Sequence, residues 1–344
     1  MMSFESTISS QRPRLRETKY DHTYFGHGKL LLSGEYFIMD GAKGIALPTL
    51  LGQTLNVKYT PSFDDAILTW RSYDSSGDLW FESRYDLWRF RCLDEKPNEA
   101  ALLLQKILLE ARKQNKHFLR EESNVLVETD LEFPVDWGLG SSSSLIYNIA
   151  QWAYVSPFEL LFKTFGGSGY DIACAQSEGP IFYQRNSSGP YWSPIVFNPP
   201  YRESLYFVYQ GRKQNSRESI ARYKKLNLEK NQIIQDLTQI SQRMLESQTL
   251  VEFESLIADH EMIIADALGV EPIQTQFFND YWGKVKSLGA WGGDFMLVTS
   301  NRSKEATEAY FTLQGMGPVI SFSELILMRN ENEHQNQDGN VTYH

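Results

Sequence analysis

The 344-residue sequence has little cysteine, no long apolar run and no cluster of basic residues. Its two cysteines, Cys92 and Cys174, lie in unrelated contexts, which argues against a disulfide framework and predicts a reducing, cytoplasmic location. No apolar run approaches the roughly 20 residues that span a bilayer. The first residues are polar and lack the apolar segment of a secretory signal. These absences predict a protein that neither crosses a membrane nor is secreted.

Acidic residues outnumber basic ones, 43 against 33, which gives a formal net charge of −10. Such a chain is poorly suited to bind nucleic acid or an anionic membrane surface. Hydrophobic residues make up 42% of the sequence, which is enough for a sizeable core. The length predicts about two domains.

The first part of the chain alternates between predicted strands and helices. Residues 53–60 and 124–133 have strand patterns, and residues 97–118 have the apolar spacing of an amphipathic helix. The apolar run at 145–155 predicts a buried helix. Ser156-Pro157 has the residue types of a helix start.

The second part begins after Pro199-Pro200, the best linker candidate in the chain. Residues 204–211 and 295–300 predict strands, and residues 214–268 between them predict two or three helices. A further strand is predicted within 317–326. The whole order predicts an α+β fold built from two units.

The stretch GLGSSSS at residues 138–144 has the composition of a flexible linker, but its position argues against one. It lies between a predicted strand and a predicted buried helix. Glycines before a helix let several backbone N–H groups point at one spot, and the helix start carries a partial positive charge. The stretch therefore predicts an anion site, although it matches neither common glycine-rich phosphate motif.

With its context, PVDWGLGSSSS resembles the second motif of the GHMP kinases, a superfamily that includes galactokinase, homoserine kinase, mevalonate kinase and phosphomevalonate kinase. GHGKLLLSGEY at 26–36 resembles the first motif, and GGSGYDIACA at 166–175 resembles the segment with the catalytic aspartate. LGAWGGDFMLV at 288–298 resembles a reduced third motif. The resemblance covers about residues 23–300. The sequence GSGYDIA is similar to that of a bacterial subgroup related to mevalonate and phosphomevalonate kinases.

The resemblance implies that the serine loop binds the triphosphate of ATP. Trp137 lies next to the loop, and its ring either lies against the adenine or belongs to the core. The predicted cofactor-binding residues are Trp137, Gly138, Leu139, Gly140, Ser141, Ser142, Ser143 and Ser144.

Asp171 and Lys29 are the catalytic residues that the resemblance implies. Asp171 would accept the proton of the acceptor hydroxyl or orient that hydroxyl, and Lys29 would lie near the transferring phosphate. The plainer alternatives are an ordinary helix N-terminal residue for Asp171 and a solvent-facing side chain for Lys29.

Acceptor binding is implied for residues in four further segments. Arg212 and Lys213 would suit a carboxylate or phosphate on the acceptor, Ser216 could equally be a helix N-cap, and Glu35 could instead hold the first turn. The predicted substrate-binding residues are Glu35, Ser168, Gly169, Arg212, Lys213, Ser216, Gly292 and Gly293.

The metal site departs from the family pattern. Ser142 occupies the position of the family's Mg²⁺-binding serine. The family's second ligand is a glutamate eleven residues before the aspartate, where this chain has Leu160, so Glu159 one residue earlier is the predicted ligand. In the third motif Trp291 replaces a glycine, and Trp291 and Asp294 are expected to reshape the pocket.

The resemblance implies a two-domain GHMP kinase fold. Residues 1–200 would form an N-terminal domain like ribosomal protein S5 domain 2, and residues 201–344 a ferredoxin-like α/β domain, each with a polar tail. It implies an ATP- and Mg²⁺-dependent kinase that acts on a small molecule such as mevalonate or phosphomevalonate, as a monomer or homodimer. The alternatives are a diphosphomevalonate decarboxylase-like enzyme and a non-catalytic protein that binds a nucleotide or metabolite.

Overall fold

The computed structural model describes residues 19–62, 65–120, 123–211, 221, 223–226, 228–291 and 294–329. The strands are β1 His22–Leu31, β2 Gly44–Pro61, β3 Ile67–Tyr73, β4 Leu79–Asp86, β5 Ser123–Leu131, β6 Ile181–Asn186, β7 Gly189–Pro194, β8 Leu205–Tyr209, β9 Val285–Ser287, β10 Phe295–Thr299 and β11 Val319–Ser321. The helices are α1 Glu99–Gln114, α2 Ser141–Ala153, α3 Pro157–Thr164, α4 Tyr170–Ala175, α5 Lys230–Glu246, α6 Leu250–Leu268, α7 Ile273–Phe277, α8 Lys304–Leu313 and α9 Phe322–Leu325.

The strands form two sheets. The first has the order β4-β3-β5-β2-β6-β7, and β1 also pairs with β2. The 18-residue β2 is its centre, because different stretches of it pair with β1, β5 and β6. All described strand pairs are antiparallel except β3 with β5, which are parallel. Along the chain, β4 and α1 lie between these two strands. The second sheet is antiparallel with the order β11-β8-β10-β9.

Strand alternation places the second sheet between two apolar layers. In β8, Leu205 and Phe207 face one core cluster, whereas Tyr206 and Val208 face another. Successive side chains of a strand point to opposite faces, so a strand that is buried throughout must be covered on both sides. The cluster that contains Phe207 also contains Leu30 of β1. The two sheets therefore share one core.

Most elements predicted from the sequence are present, although several boundaries differ: β2, for example, begins at Gly44 and not at residue 53. The first long helix spans Glu99–Gln114 and not 97–118, because Asn98 caps its start by accepting from the N–H of Ala101 at 2.8 Å. Helix α2 begins at Ser141 and not at residue 145, because Gly140 adopts a left-handed conformation and turns the chain directly into the helix. The β6–β7 hairpin, β9, α7 and α8 are additional elements that the pattern did not predict, and α9 occupies part of the range 317–326 where a strand was predicted.

A fully buried set of ionisable side chains joins the two sheets. Lys286 of β9 donates to the carboxylate of Glu35, in the turn that follows β1. His260 of α6 lies 3.1 Å from the same carboxylate and accepts from the N–H of Gly34 at 3.0 Å. Glu261 lies 4.0 Å from Lys286 and accepts from a β9 backbone N–H. These contacts tie the turn to the second sheet.

The protonation states of the side chains in this cluster make its positive and negative charges cancel. Burial would raise the pKa of Glu35, but Lys286 and His260 lower it below its ordinary value. Burial and Lys286 together lower the pKa of His260, although Glu35 opposes them. Burial, with Glu35, raises the pKa of Glu261 to about 8 against the opposing effect of Lys286. Near neutral pH the cluster therefore holds one anion, Glu35, and one cation, Lys286.

In the part of the chain that the structure describes, no helix combines the length and apolar character needed to cross a membrane.

Removing one partner of the buried pair should destabilise the protein more than removing both. Lys286→Met leaves the Glu35 carboxylate without its cation, which typically costs about 3–5 kcal/mol. The double variant Glu35→Gln/Lys286→Met carries no unpaired charge and should recover most of that loss. Urea unfolding of the three proteins measures the difference. A double variant as unstable as Lys286→Met would contradict the pairing.

The pKa of Glu261 predicts a pH dependence of stability. The unfolded chain loses this proton near about pH 4.3, whereas the folded protein keeps it until about pH 8. Because the folded state binds more protons in this window, stability should fall as pH rises through it. Glu261→Gln should flatten this slope in urea unfolding at several pH values. The matched control Glu271→Gln changes an exposed glutamate and should keep the pH dependence of stability. If Glu261→Gln also keeps it, the raised pKa assigned to Glu261 is wrong.

Candidate functional site

The loop between β5 and α2 is shaped by two glycines in left-handed conformations. Gly138 has φ 68° and Gly140 has φ 93°. The carbonyl of Gly140 accepts from the N–H groups of Ser143 and Ser144 at 2.9 and 3.0 Å, and no side chain caps this helix start. The first N–H groups of a helix have no partner within the helix. The start of α2 is therefore suited to bind an anion.

Two side chains lie directly against this loop and explain why it needs glycine. A Cβ at Gly140 would lie 2.9 Å from Cγ of Lys29, and one at Gly138 would lie 2.3 Å from Cγ of Asp294. Lys29 comes from β1 in the first sheet, and Asp294 directly precedes β10 in the second. The loop is thus packed between side chains from both sheets.

Lys29 is tied to the loop at two points. Its backbone N–H donates to the carbonyl of Leu139 at 2.9 Å, and its Nζ donates to the carbonyl of Gly138 at 2.8 Å. Burial lowers the pKa of Lys29, but Tyr170, Asp294 and Asp171 together raise it above its ordinary value. A permanent positive charge therefore lies beside the helix start.

Asp171 lies in the first turn of α4, and the structure brings it to the serine loop. Its Oδ2 accepts from the hydroxyl of Ser143 at 2.5 Å, and its Oδ1 accepts from the N–H of Ile172 at 3.1 Å. The preceding Gly169 is left-handed with φ 96°. The site therefore combines a carboxylate, an ammonium group and a helix N-terminus.

The four serines of the loop have different environments. Ser142 is exposed, Ser141 is half-buried, and Ser143 and Ser144 are buried. The Ser144 hydroxyl donates to Oε1 of Gln53 at 3.0 Å, inside the first sheet. Its side chain thus takes part in packing α2, whereas Ser142 presents its hydroxyl to solvent.

Other predicted site residues are placed within the core. Trp137 is buried and its ring lies 5.4 Å from that of Phe295 in an edge contact. Leu139 is fully buried in the core that the two sheets share. The carbonyl of Ser168 accepts from the hydroxyl of Tyr183 at 2.5 Å, which holds the turn before α4.

The predicted metal ligand Glu159 lies in the first turn of α3 and pairs with Lys163 at 2.6 Å. Its neighbour Leu160 is fully buried. Among the described residues, no three His, Cys, Asp or Glu side chains are grouped so that they could hold a metal ion. The assignment of Glu159 to a metal stays a prediction.

Glu35 is fully buried, and its described contacts are Lys286 and His260 and not an open site. The remaining predicted substrate-binding residues lie outside the described part of the chain; they are Arg212, Lys213, Ser216, Gly292 and Gly293.

Tyr170 is a site residue that sequence reasoning missed. Its ring centre lies 5.8 Å from Nζ of Lys29. The available signal was its position directly before Asp171, where a bulky phenol stands between the glycine and the aspartate. The role of Asp294 was predicted only in general terms, and the structure places its carboxylate against Gly138.

Comparisons with known proteins give structural matches only. No family model matches the sequence, and no curated protein matches it either. L. major mevalonate kinase in complex with R-mevalonate matches with a TM-score of 0.61 and 14% identity, over 88% of this chain and 98% of that chain. Streptococcus pneumoniae phosphomevalonate kinase in complex with phosphomevalonate and AMPPNP gives 0.63 and 16%, over 87% and 99%.

Mevalonate diphosphate decarboxylase from Staphylococcus aureus also matches, with a TM-score of 0.56 and 12% identity over 89% of this chain and 96% of that chain. These matches span nearly the whole of each protein. They show that this chain has the α+β fold that these kinases and this decarboxylase share, as predicted. The predicted division into two domains at residue 200 stays a prediction. The bacterial subgroup suggested by GSGYDIA stays a prediction, and identities this low do not specify a substrate.

Gly138→Ala should destabilise the loop through both its backbone and its contact with Asp294. A left-handed conformation costs a residue other than glycine about 1–2 kcal/mol, and the added Cβ would also overlap the Asp294 carboxylate. Gly77→Ala is the matched control, because Gly77 has φ 83° and open space around its α-carbon. Urea unfolding should show a larger loss for Gly138→Ala than for Gly77→Ala. Equal losses of stability in the two variants would mean that the contact between residue 138 and Asp294 does not contribute.

Proposed function

We propose that this chain is an ATP-dependent kinase that transfers the γ-phosphoryl group to a small-molecule alcohol or phosphate of the mevalonate or phosphomevalonate class. One observation carries the proposal. Asp171 accepts a hydrogen bond from Ser143 in the first turn of α2, while Lys29 bonds to the loop that precedes this turn. A carboxylate, a cation and an anion-binding helix start are the groups that phosphoryl transfer requires in one place.

Each group has a role that follows from its chemistry. The N–H groups at the start of α2 bind phosphate oxygens, and the absence of side chains on Gly138 and Gly140 lets the backbone approach them. The charge of Lys29 offsets the negative charge of the transferring phosphoryl group. Asp171 orients the acceptor hydroxyl or takes its proton, which typically accelerates a reaction about 10²–10⁴-fold.

The exposed hydroxyl of Ser142 fits a Mg²⁺ ion carried by the nucleotide. Mg²⁺ at such sites takes most of its ligands from phosphates and water, and one or two protein oxygens suffice. Ser142 would supply one such oxygen at the loop, and Glu159 would join it only by leaving Lys163. The ion would neutralise phosphate charge.

The assignment of the acceptor class rests on the sequence motifs and on the structural neighbours. Two of those neighbours are a mevalonate kinase in complex with R-mevalonate and a phosphomevalonate kinase in complex with phosphomevalonate. Arg212 and Lys213 are the proposed partners of an acidic group on the acceptor. The second candidate function is that of a diphosphomevalonate decarboxylase, since such an enzyme has the same fold.

Asp171→Asn should reduce turnover about 10²–10⁴-fold and leave nucleotide affinity nearly unchanged, because the amide keeps the shape of the side chain but is not a base. ADP formation would be followed with Mg-ATP and, separately, mevalonate, phosphomevalonate, homoserine and galactose, and the affinity by calorimetry. The matched control is Asp259→Asn on the exposed face of α6, which should behave like the wild type.

Full activity in Asp171→Asn would exclude the proposed role. Release of CO₂ from diphosphomevalonate would favour the decarboxylase. Nucleotide binding without turnover of any acceptor would favour a non-catalytic binding protein.

A further inference from the structure

The hydroxyl of Tyr170 lies at the centre of the site but has no role in the mechanism above. Tyr170 is the first residue of α4 and directly precedes Asp171. Its ring is partly buried and packs against a core cluster that includes Leu31, Ile38 and Ala173. Nζ of Lys29 lies 5.8 Å from the ring centre, and the phenol oxygen interacts with that ammonium group.

The hydrogen-bonding capacity of these groups determines where the phenol proton points. An ammonium group can only donate, so in its interaction with Lys29 the oxygen of Tyr170 has the role of acceptor. The phenol hydrogen then requires a different acceptor, and none of the described residues supplies one. The neighbouring Asp171 accepts from Ser143 at one oxygen and from Ile172 N–H at the other, and no described hydrogen bond joins it to the phenol. The phenol therefore presents an unused donor beside the Lys29 charge.

Tyr170 keeps this proton at physiological pH. Burial raises the pKa of Tyr170 to about 12, although Lys29 opposes the shift. The group is thus a neutral donor on a ring that packs against the core, where it can meet an anion with little reorganisation.

We propose that the Tyr170 hydroxyl is a further catalytic residue, which donates a hydrogen bond to a non-bridging oxygen of the transferring phosphoryl group beside Lys29. The inference rests on the proposed function, because it requires ATP at the start of α2. The hydroxyl stabilises charge on the phosphoryl oxygens and takes no part in proton transfer, which remains with Asp171. It also contacts the γ-phosphate in the bound nucleotide, so it favours a triphosphate over a diphosphate.

Tyr170→Phe tests this role, because it removes only the oxygen and keeps the ring packing. Loss of a preorganised donor to an anion typically lowers kcat about 10²-fold, and KM for the acceptor should stay unchanged. The preference for AMPPNP over ADP, measured as a ratio of Kd values, should fall about 5-fold, which corresponds to one ordinary hydrogen bond. This binding ratio does not depend on turnover.

Tyr85→Phe is the matched control. The Tyr85 hydroxyl donates to the carbonyl of Ala101 at 2.9 Å in the core of the first sheet, so its loss should lower stability without changing kcat or the AMPPNP/ADP ratio. A second measurement leaves the tyrosine in place. In protein labelled with 3-fluorotyrosine, the ¹⁹F signal of Tyr170 should shift with AMPPNP and not with ADP.

The outcomes separate the two proposals. If the wild type is active and Tyr170→Phe keeps the same kcat and the same AMPPNP/ADP binding ratio, the proposed role of Tyr170 is wrong. The proposed kinase activity is not affected by that outcome. Binding of AMPPNP without turnover of any acceptor would overturn the kinase, while the binding ratio would still decide the role of Tyr170. A wild type that does not bind AMPPNP would overturn both.

Discussion

The backbone conformation of Gly138 and Gly140 is the constraint on which the site depends. Both residues adopt positive φ, which brings the chain from β5 into α2 with the first N–H groups of the helix facing outward. Because neither residue has a side chain, Lys29 can lie against one and Asp294 against the other. Any other residue type would separate the loop from the two charged groups that surround it.

The position of Lys29 depends in turn on how the two sheets are held together. Lys29 lies on β1, and the turn after β1 carries Glu35, which pairs with Lys286 of the second sheet. The apolar core also continues from β1 into β8 and β10. Asp294 approaches the loop from this second sheet. The geometry around Gly138 is therefore a property of both sheets, and the buried ion pair contributes to it as a specific polar contact between them.

Local rules account for much of the fold and for part of the site. Helix α1 and strands such as β5 follow from apolar spacing, and the glycine-serine loop before an apolar helix indicated an anion site. The exact start of α2 could not be read in this way, because serine is favoured at the N-cap and each of the four serines was a candidate, whereas the observed N-cap is Gly140. Helix α7 was missed because it has only five residues, too few for a periodic pattern.

By itself, the sequence indicated most of the larger elements and the glycine loop, since these follow from local spacing and backbone preference. Lys29 and Asp171 were singled out by the resemblance of their motifs and not by local spacing. Only the tertiary structure decided which side chains meet. It joined Ser143 to Asp171 and Lys29 to Gly138, brought the hydroxyl of Ser144 to Gln53 of the first sheet and enclosed Glu35 between Lys286 and His260. Such contacts link residues up to 251 positions apart. They depend on sheet register and on the packing of two units, which local preferences do not encode.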